Sequence, residues 1–173
     1  MARELNENTL IEVWSNNRSG ISYVTDKVTR TWHTPGSSKK ITLGELYEAC
    51  NMPGARQFFV EGVLLIKDNE VREKLDLPPL DEYTLDRKQM IELLQSGDLR
   101  LIEEFLQYCS NMLLHSFVQV AIDLPISDMN IAKLIGKYSG FDLVNVLAEK
   151  ADDTVQVKDM PAGANRPKRI VKE

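Results

Sequence analysis

The spacing of apolar residues changes once along this chain, at the segment DLPPLDEYT, residues 76–84. Before this segment, apolar and β-branched residues form short runs separated by Asn, Ser, Gly and Pro, a pattern typical of antiparallel strands. After it, apolar residues recur about every 3.6 positions, which is typical of amphipathic helices. The chain is therefore expected to be an α+β protein, with a small N-terminal antiparallel β module, a C-terminal helical bundle and a flexible tail.

The prolines and acidic residues of this segment mark the boundary between the two parts. We expect a mostly-β module with one or two short helices at residues 1–77, a linker at 78–84, an α-helical bundle at 85–150 and a flexible basic arm at 151–173. With 173 residues, of which 43% are hydrophobic, the chain is long enough to bury a core. The sequence leaves open whether the β and α parts pack as one domain or two.

The stretch RTWHTPGSSKKITLGELYEAC, residues 30–50, invites comparison with a phosphate-binding loop. A Walker loop needs two glycines five positions apart before the lysine, and Gly36 has no such partner. We interpret Pro35-Gly36 as the tight turn of a hairpin, and Thr42 and Glu45 as the capping box of the following helix. The strands of this region are expected to form a meander, with a further strand or strand pair in QFFVEGVLLI.

Five helices are expected after the linker, each opened by a polar side chain that can accept a backbone N–H bond. Glycine or proline residues end three of them, at Gly97, Pro125 and Gly140. The last helix is expected to end near Lys150. The expected N-cap residues are Thr84, Asp98, Ser110, Ser127 or Asp128, and Asp142.

The net charge of −5 is unevenly distributed along the chain. Residues 158–173 carry a net charge of +3, so residues 1–157 carry −8. An acidic body is poorly suited to general nucleic-acid binding, which needs a positive surface on the folded part. The basic arm can still contact phosphate or an acidic protein surface. Its candidate partner-binding residues are Arg166, Lys168, Arg169 and Lys172.

Trp14 and Trp32 both lie in strand-like segments. Burial in a core is the commoner role of such aromatic residues. If the small sheet exposes one face, however, these two residues are the natural anchors of a contact with another protein. Trp14 and Trp32 are therefore candidate partner-binding residues as well.

The sequence predicts no metal site, no cofactor and no catalytic site. Its two histidines and two cysteines are too scattered for a structural zinc site. The sequence does not decide whether Cys50 and Cys109 form a disulfide, although reduced thiols are favoured. His115 and Asp123 lie on one polar stripe of a helix, but a metal or proton-transfer site would need a further ligand. We favour the interpretation that this stripe is the solvated edge of a central helix.

Residues 130–150 contain Ala132 and Gly136 at the spacing of a helix-turn-helix motif. A recognition helix should expose Arg, Lys, Asn or Gln, whereas this one carries Asp142 and Glu149, with Asn145 its one good base reader. DNA reading is therefore disfavoured. No window is long and apolar enough for a membrane span, and the N-terminus lacks a signal-peptide core, so an intracellular protein without membrane contact is expected.

Three parts of the chain resemble small, mostly uncharacterised structural-module proteins of tailed bacteriophages of Gram-positive hosts. They are NNRSG with RTWHTPGSSKKITLGEL, LLQSGDLRLIEEFLQYC and LPISDMNIAKLIGKYSGFDL. The similarity covers about residues 10–150 and brings no functional residues with it. It implies a role in the phage particle or its assembly, with other virion proteins and copies of the chain as partners. The implied location is the virion or the host cytoplasm.

We therefore expect a non-enzymatic structural or assembly protein that homo-oligomerises, in which the basic tail is the one part able to contact nucleic acid. The alternative is a small phage-encoded regulator that binds nucleic acid or a host protein. A regulator should be a monomer or dimer with salt-sensitive affinity for nucleic acid, whereas a particle component should oligomerise or be found in purified virions. An enzyme is the third and least favoured class.

Overall fold

The computed structural model describes residues 4–158 and shows the α+β fold that the sequence predicts. The strands are β1 (Leu10–Ser15), β2 (Ile21–Val24), β3 (Thr29–Trp32), β4 (Ser38–Thr42) and β5 (Leu64–Leu65). The helices are α1 (Leu43–Cys50), α2 (Pro53–Val60), α3 (Asn69–Lys74), α4 (Arg87–Ser96), α5 (Leu99–Tyr108), α6 (Asn111–Asp123), α7 (Met129–Ser139) and α8 (Leu143–Lys158). All five strands precede α4, so the N-terminal module is mixed and the C-terminal part is helical.

The strands form two antiparallel units instead of a meander. β1 is the central strand of a sheet with the order β4-β1-β5, and β2 and β3 form a separate hairpin. The predicted meander is therefore wrong. Burial explains the long-range pairing, because Ile11 and Val13 of β1 are buried, and Ile11 lies opposite the buried Ile41 of β4.

The turn at Pro35-Gly36 forms, but it does not close a hairpin. Gly36 has a φ of 72°, which glycine adopts without strain, and Ser37 N donates to the carbonyl of Thr34 at 3.2 Å. The N–H of Gly36 donates to the carbonyl of Ser15 at 2.8 Å, and this bond directs β4 along β1. The predicted hairpin is wrong because β3 and β4 belong to different sheets.

The segment QFFVEGVLLI is mostly not a strand, and this prediction is also wrong. α2 extends to Val60, and only Leu64 and Leu65 pair as β5. Pro53 at the start of α2 has a φ suited to a helix. Ala55 and Phe59, one turn apart, are both buried and attach the helix to the N-terminal core.

Capping side chains set most helix boundaries where the sequence predicts them. Gly97 and Gly140 end α4 and α7 in the left-handed conformation. The confirmed N-cap side chains are Asp98 at α5, Ser110 at α6 and Asp128 at α7, and Asp68 caps α3 in the same way.

Two helix boundaries differ from the prediction. α4 begins at Arg87 and not after Thr84, because Asp86 and Gln89 form a capping box there. α8 continues through Lys158, past its predicted end. The first residues of the predicted flexible arm are therefore helical, and the remainder, residues 159–173, lies outside the described residues.

Buried apolar residues form two clusters on either side of residues 78–84. The N-terminal cluster includes Trp32, Phe59 and Leu64, and the C-terminal cluster includes Phe117 and Ile135. Met112 of α6 also packs against the N-terminal cluster. The module and the bundle are therefore in direct contact.

Candidate protein interaction surfaces

Trp32, one of the two predicted partner anchors, is a core residue. Its side chain is 1% exposed, and its indole N–H donates to the carbonyl of Val13 at 3.2 Å. Its ring packs against Tyr23, with the ring centroids 5.8 Å apart. The prediction for Trp32 is therefore wrong, because the β2–β3 hairpin turns this residue toward the N-terminal core and not toward solvent.

Trp14 lies near the end of β1 and is only partly buried. The ammonium of Lys67 stands 4.6 Å from its ring centroid, a cation–π contact. Trp14 and Lys67 line a small pocket of about 280 Å³ together with Gly36, Arg87 and Ile91. Trp14 is thus accessible, and its role as a partner anchor stays a prediction.

The predicted basic contact residues, Arg166, Lys168, Arg169 and Lys172, lie outside the described residues. The part of the chain that is described is strongly acidic: residues 4–158 contain 16 Lys and Arg against 24 Asp and Glu. Residues 159–173 contain four basic and two acidic residues. The two parts of the chain therefore carry opposite net charges.

The structure gives Asp123 and His115 separate roles. The carboxylate of Asp123 is held by Arg18 Nη2 at 3.0 Å and by Arg87 Nη2 at 3.1 Å. Arg18 comes from the β1–β2 loop and Arg87 opens α4, so Asp123 ties the module to the bundle. His115 is exposed on the solvated edge of α6, and Asp123 is committed to its two arginines.

An open cleft of about 800 Å³ lies between the β1–β2 loop, α2 and α6. The residues that line it include one histidine, His115, and no carboxylate or thiol. Its lining combines the apolar Ile21, Phe58, Val63 and Met112 with polar side chains that include Arg18, His115, Ser116 and Gln119.

Asn16, in the loop after β1, joins the two halves of the protein through one buried side chain. It is 1% exposed, and its amide nitrogen donates to the carbonyls of Gly62 at 2.9 Å and Leu85 at 3.0 Å. Its amide oxygen accepts the backbone N–H of Arg87 at 3.0 Å. Nothing in the sequence indicated this role, since an asparagine in SNNRSG is typical of a turn.

Two tyrosines flanked by carboxylates form a surface that we call the acidic tyrosine patch: Tyr83, Tyr108, Glu82 and Glu104. The ring of Tyr83, in the linker, and that of Tyr108, at the end of α5, have centroids 5.0 Å apart and planes 34° apart. The Tyr83 hydroxyl donates to Glu104 Oε1 at 3.2 Å. Tyr108 is 56% exposed, and both glutamates are exposed.

The patch combines the carboxyl side chains of Glu82 and Glu104 with a neutral phenol at Tyr83. Desolvation, together with hydrogen bonding to Glu82 and Glu104, raises the pKa of Tyr83 to about 12, so its hydroxyl stays neutral. Sequence reasoning missed this surface because Tyr83 lies in the linker, where there is no periodicity. The one available indication was Tyr108, an aromatic residue near the end of a predicted amphipathic helix.

Cys50 and Cys109 are both free thiols. Burial raises the pKa of each to about 11, so neither is a thiolate at neutral pH. Within residues 4–158, no group of three or more His, Cys, Asp and Glu side chains could hold a metal ion. In the same residues, no helix has both the length and the apolar surface needed to cross a bilayer.

α7 and α8 meet across a short turn, as the helix-turn-helix spacing suggested. The turn is close, because a Cβ on Gly136 would lie 3.1 Å from the carbonyl oxygen of Phe141. The exposed positions of α8 include Asn145, Glu149 and Asp152. Two carboxylates on this surface would repel phosphate, and the inference that DNA reading is disfavoured stays a prediction.

Scans of the chain against protein-family models, curated proteins and solved structures find no match. The interaction surfaces are therefore characterised by their own contacts and charges.

Proposed function

We propose that this protein is a non-enzymatic structural or assembly protein of a tailed phage particle that acts through protein–protein contacts and homo-oligomerisation. The observation that carries the proposal is the opposition of charge between residues 4–158 and residues 159–173. With a basic terminal segment on an acidic body, the segment of each copy can bind the body of another copy. The phage context rests on the resemblance of its short motifs to phage proteins.

Such a contact is heterologous, because it joins two different surfaces: the basic terminal segment of one copy and the acidic body of the next. Heterologous contacts generate rings when the rotation between copies closes and open filaments when it does not. Charge complementarity fixes which partner binds and how fast, while apolar contacts add affinity. This mechanism needs no catalytic group.

The sheet is poorly suited to assembly by strand addition. β4 is an edge strand, and its exposed side chains include Lys39 and Lys40. Lysines on an edge strand disfavour pairing with another strand, because their charges and hydration are lost in the contact. Side-chain contacts are therefore the better candidate for joining copies.

The test is light scattering on a sizing column, with full-length protein at low and high salt. We expect an oligomer at low salt that is lost when the four basic tail residues are changed together to alanine: Arg166→Ala, Lys168→Ala, Arg169→Ala and Lys172→Ala. The matched control removes the same charge from exposed residues of the body that lie away from the edge strand β4, and it should assemble normally: Lys27→Ala, Lys88→Ala, Lys133→Ala and Lys137→Ala.

A full-length protein that is a monomer at every concentration and salt would contradict the proposal. The alternative regulator predicts a different result, in which the full-length protein retards nucleic acid at low salt and releases it at high salt. Glu149 and Asp152 on α8 weigh against that outcome, because their negative charges would repel the phosphates of nucleic acid.

A further inference from the structure

The outward face of α5 is an exposed surface of unusual composition. The inward face buries Ile102, Phe105 and Leu106 in the core of the bundle. The outward face presents Leu101, which is 41% exposed, and Tyr108, which is 56% exposed, with Glu104 between them. The linker contributes Tyr83, whose ring is tilted against that of Tyr108, and completes the acidic tyrosine patch.

This patch has the chemistry that recognises a guanidinium or ammonium group. The face of a tyrosine ring attracts a cation within about 6 Å of its centroid. A carboxylate binds arginine through charge-assisted hydrogen bonds, which are about twice as strong as neutral ones. Glu104 accepts the Tyr83 hydroxyl through Oε1, and a carboxylate has about four lone-pair sites, so acceptor capacity is left for a cation.

The chain itself contains a segment with the complementary composition. Residues 166–172, RPKRIVK, hold three basic residues within four positions, and Ile170 and Val171 follow them. The basic residues match the carboxylates and ring faces of the patch, and the apolar pair matches the exposed Leu101. Arg166 lies eight residues beyond Lys158, a reach of up to about 27 Å for an extended chain, enough to meet a neighbouring molecule.

We propose that the acidic tyrosine patch is the surface that receives residues 166–172 of another copy of this chain. This inference rests on the proposed function, since it names the receiving surface of the head-to-tail contact. In that contact, an arginine of the arriving segment lies against the Tyr108 ring and binds Glu82 or Glu104.

A charge exchange between full-length variants tests the contact. The patch variant carries Glu82→Lys and Glu104→Lys, and the tail variant carries Arg166→Glu and Arg169→Glu. We expect each variant alone to need at least about tenfold higher concentration than the unaltered protein for half-assembly. An equimolar mixture should assemble again, because the acidic tail then meets the basic patch and the basic tail meets the acidic patch.

Tyr108→Ser should weaken assembly without a change of charge, and Tyr47→Ser, on α1, is the matched control because Tyr47 is also exposed, at 39%. The thermal unfolding of every variant is compared with that of the unaltered protein, so that a folding defect is recognised.

Three results would overturn this inference. If the patch variant assembles normally while the tail variant does not, the tail binds elsewhere and the proposed function still stands. If neither variant assembles alone and their mixture does not assemble either, the tail of one copy does not bind the patch of another. If the unaltered protein is itself a monomer, the proposed function fails together with this inference.

Discussion

Arg72 is a charged side chain inside the core of the N-terminal module. It is 2% exposed, and its Nε donates to the carbonyl of Pro78 at 2.7 Å, while its Nη2 donates to that of Phe59 at 3.4 Å. Its Nη1 has no hydrogen-bond partner among the described residues. Burial lowers the pKa of Arg72, which is the expected response of a cation removed from water. This side chain therefore attaches the start of the linker to α2.

Arg72→Ala should lower the free energy of unfolding by about 3 kcal/mol, because it leaves two carbonyls unpaired and opens a cavity. Urea denaturation followed by circular dichroism measures the change. Arg100→Ala, at an exposed position of α5, should change stability by less than about 0.5 kcal/mol. Equal effects of the two substitutions would show that the buried guanidinium has no structural role.

Glu45 is the residue whose titration should be visible in the stability of the fold. It accepts bonds from Arg30 Nε at 2.7 Å and Arg30 Nη2 at 2.5 Å, and from the Tyr23 hydroxyl at 2.8 Å. The bonds from Arg30, with a smaller effect from Tyr23, hold the pKa of Glu45 below its usual 4.5 against the opposing effect of partial burial. The ionised carboxylate therefore stabilises the folded state.

Glu45→Gln should cost about 1–2 kcal/mol at pH 7. A folded-state pKa below the unfolded value means that this difference is complete above about pH 4.5 and disappears as the pH falls through the lower folded pKa. Urea denaturation of both proteins between neutral and acidic pH measures it. Glu73→Gln, at an exposed position of α3, is the control, and a pH-independent difference would contradict the assignment.

The spacing of Thr42 and Glu45 predicted the backbone hydrogen bond of Glu45 but not the partners of its side chain. Thr42 accepts the N–H of Glu45 at 3.3 Å, as the capping pattern indicates. The Glu45 side chain was expected to reach back to Thr42, but it binds Arg30 and Tyr23 of the β2–β3 hairpin. A partner that distant in sequence depends on how the hairpin packs, which a four-residue pattern does not contain.

At the scale of elements, Gly62 is where the turn after α2 meets the bundle. Its φ of 75° is in the left-handed region, and a Cβ there would lie 3.0 Å from Thr84 Cγ2 and 3.2 Å from Leu113 Cδ1. Gly62→Ala should lower the free energy of unfolding by about 2 kcal/mol, because backbone strain adds to these close contacts. Thermal and urea unfolding measure the loss.

Gly54 offers the matched control for this substitution. It lies in the first turn of α2, and no atom lies within 4 Å of its added Cβ. Gly54→Ala should leave stability unchanged or raise it by up to about 1 kcal/mol, because alanine favours the helix. If both substitutions have the same effect, the close approach at Gly62 is not a constraint.

The elements that could be predicted are those fixed by neighbours in sequence. Asp98, Ser110 and Gly140 act within a few residues, so the helix boundaries that they set followed from the sequence. Strand partners did not, because the pairing of β1 with β4 is decided by which buried faces meet across the sheet. For the same reason, QFFVEGVLLI could not be separated into α2 and β5 from its apolar residues alone.

At the scale of the whole molecule, Asn16 determines whether the module and the bundle unfold together. Asn16→Leu leaves the carbonyls of Gly62 and Leu85 and the N–H of Arg87 without their partner, and should cost about 3 kcal/mol. Both tryptophans lie in the N-terminal module, whereas far-ultraviolet circular dichroism mainly reports the helices. We expect the unfolding transitions measured by tryptophan fluorescence and by circular dichroism to coincide in the unaltered protein. In Asn16→Leu, the two transitions should separate.

Asn51→Leu, at an exposed asparagine after α1, controls for the loss of an amide and should leave the probes coincident. Probes that already differ in the unaltered protein would show that the halves are independent.

The candidate surfaces were harder to predict than the fold. The sequence offered Trp14 and Trp32 alike as candidate anchors without separating the accessible one from the buried one, and it indicated the charge difference between body and tail. It could not pair Tyr83 with Tyr108, because the path of the linker across the end of α5 is set by contacts such as those of Arg72 and Asn16. Both of those residues act across the boundary that the change in apolar spacing revealed.

The position of Asn16 also bears on how the protein is made. The buried residues of the N-terminal core lie within residues 5–77, so a ribosome delivers all of them before any part of α4. Asn16 and Gly62 both belong to that early segment, whereas Leu85 and Arg87 leave the ribosome later. Because domains generally fold as units during synthesis, we expect the Asn16 amide to be held by Gly62 first, and then to donate to Leu85 and accept from Arg87 as the bundle is added.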